Sequence, residues 1–174
     1  MDTGPYEIRN TDSLDSGRDG FSLNGKGFRI SGTRAIDNKR NGYFVMGSHG
    51  ILGVAGAGVV AEGSGTHGVN LNGLAHRLED CVVRRGGKNG VQINGTYLEI
   101  IGCRAEDNGG DGIYGMGGNL QLARNAAVNN EKNGILVDGP QLADLGGNQG
   151  TGNRGTRLQT PVAQCKIARQ ACQQ

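Results

Sequence analysis

The sequence predicts an all-β fold, a parallel β-helix in which the chain winds in stacked coils with a 22-residue repeat. Three observations predict it: a turn dipeptide that recurs at a fixed interval, three short alternating segments within each interval, and a high glycine content. A repeat of this length is the signature of a solenoid, because each unit can bury its apolar residues only against its neighbours. We expect about six coils, one for each copy of the dipeptide, followed by a C-terminal cap.

The recurring dipeptide ends in glycine and begins with Asn, Asp or His. Its six copies, which we call the anchors, are Asp19-Gly20, Asn41-Gly42, His67-Gly68, Asn89-Gly90, Asp111-Gly112 and Asn133-Gly134. Asn and Asp tolerate left-handed backbone and glycine adopts it freely, so the dipeptide suits a tight corner. The interval between successive anchors is constant except between the second and the third, where it is longer by four. The longer interval predicts an inserted loop, which we expect near residues 46–53.

Each interval holds three short segments in which apolar and polar residues alternate, the pattern of a half-buried strand. Val91, Ile113 and Ile135 each follow an anchor, and their spacing predicts one interior file along the axis. Each strand would pair with its counterpart one coil away, about 4.8 Å along the axis. A β-sandwich also explains short strands, but it does not explain the fixed interval.

The composition suits a narrow core and argues against two classes of partner. Of 174 residues, 34 are glycine and only 4% are aromatic, as expected for an interior of stacked aliphatic side chains. The net charge of +2 gives no electrostatic reason to expect nucleic acid. No apolar run is long enough to cross a membrane. The repeat decays from residue 141, so we assign residues 1–140 to coils and residues 141–174 to a C-terminal cap or tail.

The four cysteines do not form a metal-binding pattern, and no metal is expected. Cys81 and Cys103 are separated by one full repeat and share one column, where stacked Cβ atoms lie farther apart than a disulfide needs. We therefore expect two buried thiols there. Cys165 and Cys172 are expected to form a disulfide that ties the cap, which implies an oxidising compartment.

One column on the predicted outer surface alternates in charge through Glu62, Arg84 and Glu106, again at steps of one repeat. Stacking brings these opposite charges within reach of each other, so a surface ladder of ion pairs is one interpretation. The other is a site for an acidic sugar, in which an arginine grips or deprotonates the sugar and carboxylates hold a cation. The candidate catalytic residues are Arg84, Arg85, Glu106 and Asp107.

A second outward column combines aromatic and amide side chains, with charged residues beside it. Such a stripe on a flat parallel sheet suits an extended sugar chain, because rings cover apolar sugar faces and amides pair with hydroxyl groups. Ordinary solvent-facing positions are the alternative interpretation. The candidate substrate-binding residues are Phe44, Asn70, Arg77, Gln92, Glu99 and Tyr114.

The coils LEIIGCRAEDNGGDGIYG and LQLARNAAVNNEKNGILVDG resemble the right-handed parallel β-helix repeats of the pectate-lyase-like superfamily. The ending GGNQGTGNRG…QCKIARQAC is similar to the C-terminus of secreted bacterial members, and the resemblance covers about residues 15–172. It implies a right-handed winding and a secreted or cell-surface protein. Members are usually longer and begin with a capping helix, so the resemblance also implies a C-terminal portion whose uncapped N-terminal end is available for association.

The superfamily includes lyases, hydrolases, epimerases, adhesins and non-enzymes, so the resemblance is specific for architecture and leaves the activity open. No lyase motif can be matched residue by residue. We expect a domain that binds or helps to process a polysaccharide, with acidic polysaccharides among the candidates. The alternatives are a polysaccharide lyase or epimerase acting on an acidic glycan, and a structural scaffold without a ligand. No cofactor is expected, except for calcium in the lyase case.

Overall fold

The computed structural model describes residues 5–155, 165–167 and 170–171. These residues form 22 strands, and the described part of the chain contains no helix, hence none that is long and apolar enough to cross a membrane. The strands lie in three sheets, and each complete coil contributes one strand to every sheet. The all-β solenoid that the repeat predicts is therefore confirmed.

Sheet 1 is built from the strands that follow the anchors, and it has the longest strands of the three. Its parallel strands are β3 (Phe21–Lys26), β6 (Tyr43–Ser48), β9 (Val69–Leu74), β12 (Val91–Thr96), β15 (Ile113–Met116), β18 (Ile135–Asp138) and β21 (Cys165–Ile167). A short strand, β22 (Gln170–Ala171), pairs with β21 in the antiparallel sense. The seven parallel strands correspond to about seven turns, and β21 has no anchor before it.

Sheets 2 and 3 consist of short strands, all parallel. Sheet 2 contains β1 (Glu7–Arg9), β4 (Arg29–Ser31), β7 (Ile51–Leu52), β10 (Arg77–Glu79), β13 (Glu99–Ile101), β16 (Gln121–Ala123) and β19 (Ala143–Asp144). Sheet 3 contains β2 (Asp12–Leu14), β5 (Arg34–Ile36), β8 (Val60–Glu62), β11 (Val82–Arg84), β14 (Arg104–Glu106), β17 (Ala126–Val128) and β20 (Gln149–Thr151). The strands β19 to β21 extend the sheets beyond residue 140. The boundary of the cap stays a prediction, and Cys172 lies outside the described residues.

The inserted loop lies later in its coil than the sequence analysis expected. Strand pairing keeps the constant interval as far as Leu52, which lies opposite Ile30. In the next strand Arg34 lies opposite Val60, which is four positions farther along the chain than the constant interval gives. The four extra residues therefore fall between Leu52 and Val60, and not near residues 46–53. Glycines occur throughout this coil, so composition alone could not locate the four extra residues.

The interior is a continuous stack of aliphatic files. Val91, Ile113 and Ile135 pair directly in sheet 1 and are fully buried, as the spacing predicts. Near the N-terminal end the aliphatic file gives way to a stacked pair of rings, Phe21 and Tyr43, whose centroids are 5.0 Å apart. Apolar burial along the whole axis is the main source of stability, because no coil could exclude water alone.

Two buried files of asparagine line the corners, and their amides bridge successive coils. Asn130 donates from Nδ2 to the carbonyl of Ala105 and to Oδ1 of Asn153, while its own Oδ1 accepts from the backbone and side-chain nitrogens of Asn108. In the second file, Asn125 donates in the same way to the asparagine of the next coil and to a carbonyl of the preceding one. At the corners, some backbone N–H and C=O groups have no partner in a neighbouring strand, and the asparagine side chains supply one.

The anchors have a different role from the one expected, because none of their residues adopts left-handed backbone. Their glycines are required by close approach. A Cβ on Gly112 would lie 2.6 Å from the carbonyl oxygen of Gly134 and 2.8 Å from the Cβ of Ala127. Left-handed backbone occurs at other corner positions, for example at Tyr97 after sheet 1 and at Asp107, which lies directly after sheet 3 in the same corner as an anchor.

Candidate functional site

The outward face of sheet 1 carries two columns of side chains, which together we call the sheet 1 face. The first column is Ser22, Phe44, Asn70, Gln92, Tyr114 and Leu136. The second column is Asn24, Met46, Asn72, Asn94, Met116 and Asp138. Because the strands are parallel and in register, the face is a continuous ribbon that runs along the helix axis.

The middle of the sheet 1 face is a chain of amides bonded to one another. Asn89 donates to Oε1 of Gln92 at 2.7 Å, and Gln92 donates to Oδ1 of Asn94 at 3.2 Å. Asn94 donates to Oδ1 of Asn72 at 3.0 Å, and Asn72 donates to Oδ1 of Asn70 at 3.0 Å. Each bond fixes the orientation of an amide. These side chains are half-buried or exposed, so their remaining donors and acceptors are accessible to a ligand.

Aromatic and thioether side chains border this amide chain on both sides. Phe44 and Met46 belong to the coil before it, and Tyr114 and Met116 belong to the coil after it. Met46 and Met116 are 45% and 62% exposed, although both are large apolar side chains. Phe44 and Tyr114 are three coils apart, which corresponds to about 14 Å.

The structure separates two of the six predicted binding residues from the other four. Phe44, Asn70, Gln92 and Tyr114 share the first column of the sheet 1 face, but Arg77 and Glu99 lie side by side in sheet 2. The corner that follows sheet 1 turns the chain, so residues close in sequence point to different sides. The Arg77 guanidinium binds the carboxylate of Glu99 and also that of Glu79, the latter at 3.0 Å.

The arginines of the candidate catalytic cluster are engaged by carboxylates of the same surface. Arg84 and Arg85 both bind Glu62, Arg84 at 2.6 Å. Glu106 accepts from Arg104 at 2.7 Å. Of the predicted ladder, Glu62 and Arg84 pair between coils, whereas Glu106 pairs with Arg104 of its own strand. A guanidinium held by Glu62 is poorly placed to act as a base on a substrate. Within residues 5–155 no group of three or more His, Cys, Asp or Glu side chains could hold a metal ion.

The buried titratable groups belong to the fold. Cys81 and Cys103 are buried free thiols, as their spacing predicts, and burial raises the pKa of Cys81 well above its ordinary value. His76 accepts from the Gly50 amide at 3.0 Å through Nδ1, and its Nε2 lies 3.2 Å from the carbonyl oxygen of Asn72. Burial lowers the pKa of His76, and its contacts make this histidine part of the interior.

His67 occupies an anchor, as predicted for a corner residue. Its pKa is lowered, first by burial and second by the positive charge of Lys88. Among the described residues its Nδ1 has no hydrogen-bond partner. His49, in the corner after sheet 1, is exposed and has a φ of 56°.

A hollow of about 500 Å³ lies at the N-terminal end of the sheet 1 face, beside Phe44. Its walls are formed by Ser16, Arg18, Asp19, Ser22, Arg40 and Phe44. The sequence analysis did not select the two arginines, although both occur two positions before an anchor glycine, one repeat apart.

The stacked parallel sheets and the long polar face define the chain as a β-solenoid with an open surface along its axis. A family model described as "Right handed beta helix region" matches residues 50–156, which is more than half of the chain. The protein therefore belongs to the right-handed β-helix family, and the handedness implied by the resemblance is confirmed.

A solved structure, "Crystal structure of pectate lyase Pel9A", is similar to this chain, with a TM-score of 0.59 and 20% sequence identity. The match covers 64% of this chain and 31% of that chain, so this protein spans about a third of the length of the solved structure. At this level of identity the likeness shows the fold alone. No curated protein matches the sequence.

Proposed function

We propose that this protein is an extracellular β-helix that binds polysaccharide along the sheet 1 face. The observation that carries the proposal is the chain of bonded amides from Asn89 to Asn70, bordered by Phe44 on one side and Tyr114 on the other. Oriented amides can pair with sugar hydroxyl groups, and rings can cover the apolar faces of sugars. The fold likeness to a protein named as a pectate lyase supports a glycan in preference to other extended ligands.

The geometry of the face fits an extended chain better than a compact ligand. The face is an open ribbon of parallel strands with exposed methionines at its edge, whereas small molecules are usually enclosed in a concave pocket. A polymer can contact several coils at once, so that weak contacts at each coil add together.

A glycan array probed with the purified protein tests this proposal. The Tyr114→Ala variant removes a ring from the face, and we expect it to weaken binding about tenfold, since an aromatic contact is worth about 1 kcal/mol or slightly more. Tyr97→Ala is the matched control. Tyr97 is 59% exposed but lies at the corner beyond the face, where the equivalent residue one coil earlier is Ala75.

Binding that is unchanged in Tyr114→Ala, or weakened equally in both variants, would contradict the position of the site. A protein that binds no glycan on the array would contradict the function itself. The extracellular location has a separate test, because fractionation of cells that produce the protein should recover it outside the cytoplasm or on the cell surface.

A further inference from the structure

The corner between sheet 3 and sheet 1 carries a column of basic residues that runs beside the sheet 1 face, and we call it the basic column. Its members are joined between coils by backbone hydrogen bonds, in which the amide of each residue donates to the carbonyl of the member one coil earlier. The column reads Arg18, Arg40, Thr66, Lys88, Gly110 and Lys132. Four of these six positions are cationic and none is acidic.

The basic column differs from the other arginine-rich surfaces in having no carboxylate ladder opposite it. On sheets 2 and 3, arginines such as Arg34 and Arg84 are paired with acids of the neighbouring coil. Across residues 5–155, by contrast, Arg18, Lys88 and Lys132 have no carboxylate partner. All three are exposed, so their charge faces solvent without compensation.

The acids closest in sequence to the column are already engaged elsewhere. Asp19 accepts hydrogen bonds from the backbone and side-chain nitrogens of the next anchor, and Arg40 approaches it only to 3.9 Å. Asp111 is buried and accepts the equivalent bonds at its own corner. Glu131 is bound to Arg154 at 2.8 Å. The exposed acids Asp15, Asp37 and Asp107 lie at the sheet 3 end of the same corner, three positions before the column, so the basic column is the cationic edge nearest to sheet 1.

The basic column borders the sheet 1 face directly. Arg18 and Arg40 form the hollow of about 500 Å³ together with Phe44, the first ring of the face. Farther along, Asn89 of the corner donates to Gln92 of the face at 2.7 Å. A chain lying on the face therefore has cations along one side at four of the six coils.

Three of the four cations are evenly spaced and give a period for the ligand, whereas Arg18 lies one coil before Arg40. Thr66 and Gly110 interrupt the column, so Arg40, Lys88 and Lys132 stand two coils apart from one another. Two coils correspond to about 10 Å along the axis. Each strand of a nucleic-acid duplex carries a phosphate about every 3.4 Å along the duplex axis, and this spacing does not match the period of the cations.

We propose that the ligand of the sheet 1 face is a linear anionic polysaccharide whose acidic groups occur on every second sugar, so that they meet Arg40, Lys88 and Lys132 in turn. This inference rests on the proposed function and adds the charge and the charge period of the glycan. The amides and rings of the face contact the sugars, and the basic column contacts their acidic groups.

The test compares binding to three immobilised polymers: hyaluronan, with one carboxylate per two sugars, polygalacturonate, with one carboxylate per sugar, and neutral dextran. We expect hyaluronan to bind most tightly and to lose affinity as salt rises. Lys88→Gln and Lys132→Gln should each weaken hyaluronan binding about fivefold, the effect of one well-placed ion pair. Lys26→Gln is the matched control, because Lys26 is an exposed lysine at the opposite edge of the face, and it should change binding less than about twofold.

Tighter binding of polygalacturonate, or no loss in Lys88→Gln and Lys132→Gln, would overturn the inference. Binding to a single-stranded oligonucleotide that exceeds binding to hyaluronan would overturn it as well. Equal affinity for dextran and hyaluronan, together with weaker glycan binding by Tyr114→Ala, would contradict the inference while leaving the proposed function intact. Absence of binding to every glycan would contradict both.

Discussion

Asn130 offers a strong test of the asparagine ladders, because it is fully buried and makes four side-chain hydrogen bonds. Replacing it by alanine removes all four. The backbone amide of Asn108 then has no acceptor, since Oδ1 of Asn130 is its partner at 3.1 Å. The side-chain amide of Asn108 keeps a bond to the carbonyl of Val83, and Oδ1 of Asn153 keeps a bond from the backbone of residue 130.

The expected loss follows from these partners. An orphaned buried amide costs about 2 kcal/mol, and each of the other three lost bonds costs about 1 kcal/mol, so Asn130→Ala should reduce the free energy of unfolding by about 5 kcal/mol. In a chain of this size that is a fall in Tm of about 10–20 °C. The control is Asn24→Ala, because Asn24 is exposed on sheet 1 and should change stability by less than about 0.5 kcal/mol.

Urea unfolding followed by circular dichroism measures the difference, and hydrogen exchange at the amide of Asn108 locates it. A loss in Asn130→Ala below about 1.5 kcal/mol would refute the reasoning, since a single ordinary hydrogen bond could account for it. Fast exchange at Asn108 without a change in global stability would show that the ladder acts only within its own corner.

Three further predictions concern backbone approach, pH and catalysis. Gly95→Ala places a Cβ 2.1 Å from a carbonyl oxygen of the preceding coil, so it should lower the free energy of unfolding by about 3 kcal/mol or more. The control Gly118→Ala meets no atom closer than 3.6 Å and should leave stability unchanged. Equal stability of the two variants would be inconsistent with the stacking. His67 and His76 have folded pKa values below their ordinary 6.5, so the unfolded chain takes up protons first and stability should fall as pH drops below about 6.5. Urea midpoints at several pH values measure this, and His67→Asn should reduce the dependence. With polygalacturonate or alginate and calcium, we expect no release of unsaturated uronates, because Arg84 is held by Glu62; release that Arg84→Gln abolishes would show that the ion pair opens for catalysis.

The fold and the outer columns follow from a period that can be read directly from the sequence. Val91, Ile113 and Ile135 are separated by a constant interval, so a solenoid places them in one file whatever the details of the corners. The same arithmetic assigns Phe44, Asn70, Gln92 and Tyr114 to one surface column once the insertion is allowed for. Applied to the corners, it also reveals the basic column, which the analysis of apolar residues passed over.

The period by itself determined that equivalent residues lie above one another, because parallel pairing in register leaves no other arrangement for a repeat of constant length. Only the tertiary structure decided which columns share a side. A corner rotates the chain between sheets, so Arg77 and Glu99 face away from Tyr114. The structure also decided which charges are compensated, since an ion pair depends on the distance between side chains on adjacent coils. For the same reason, only the tertiary structure shows that anchor glycines are required by close contact between coils, and not by left-handed backbone.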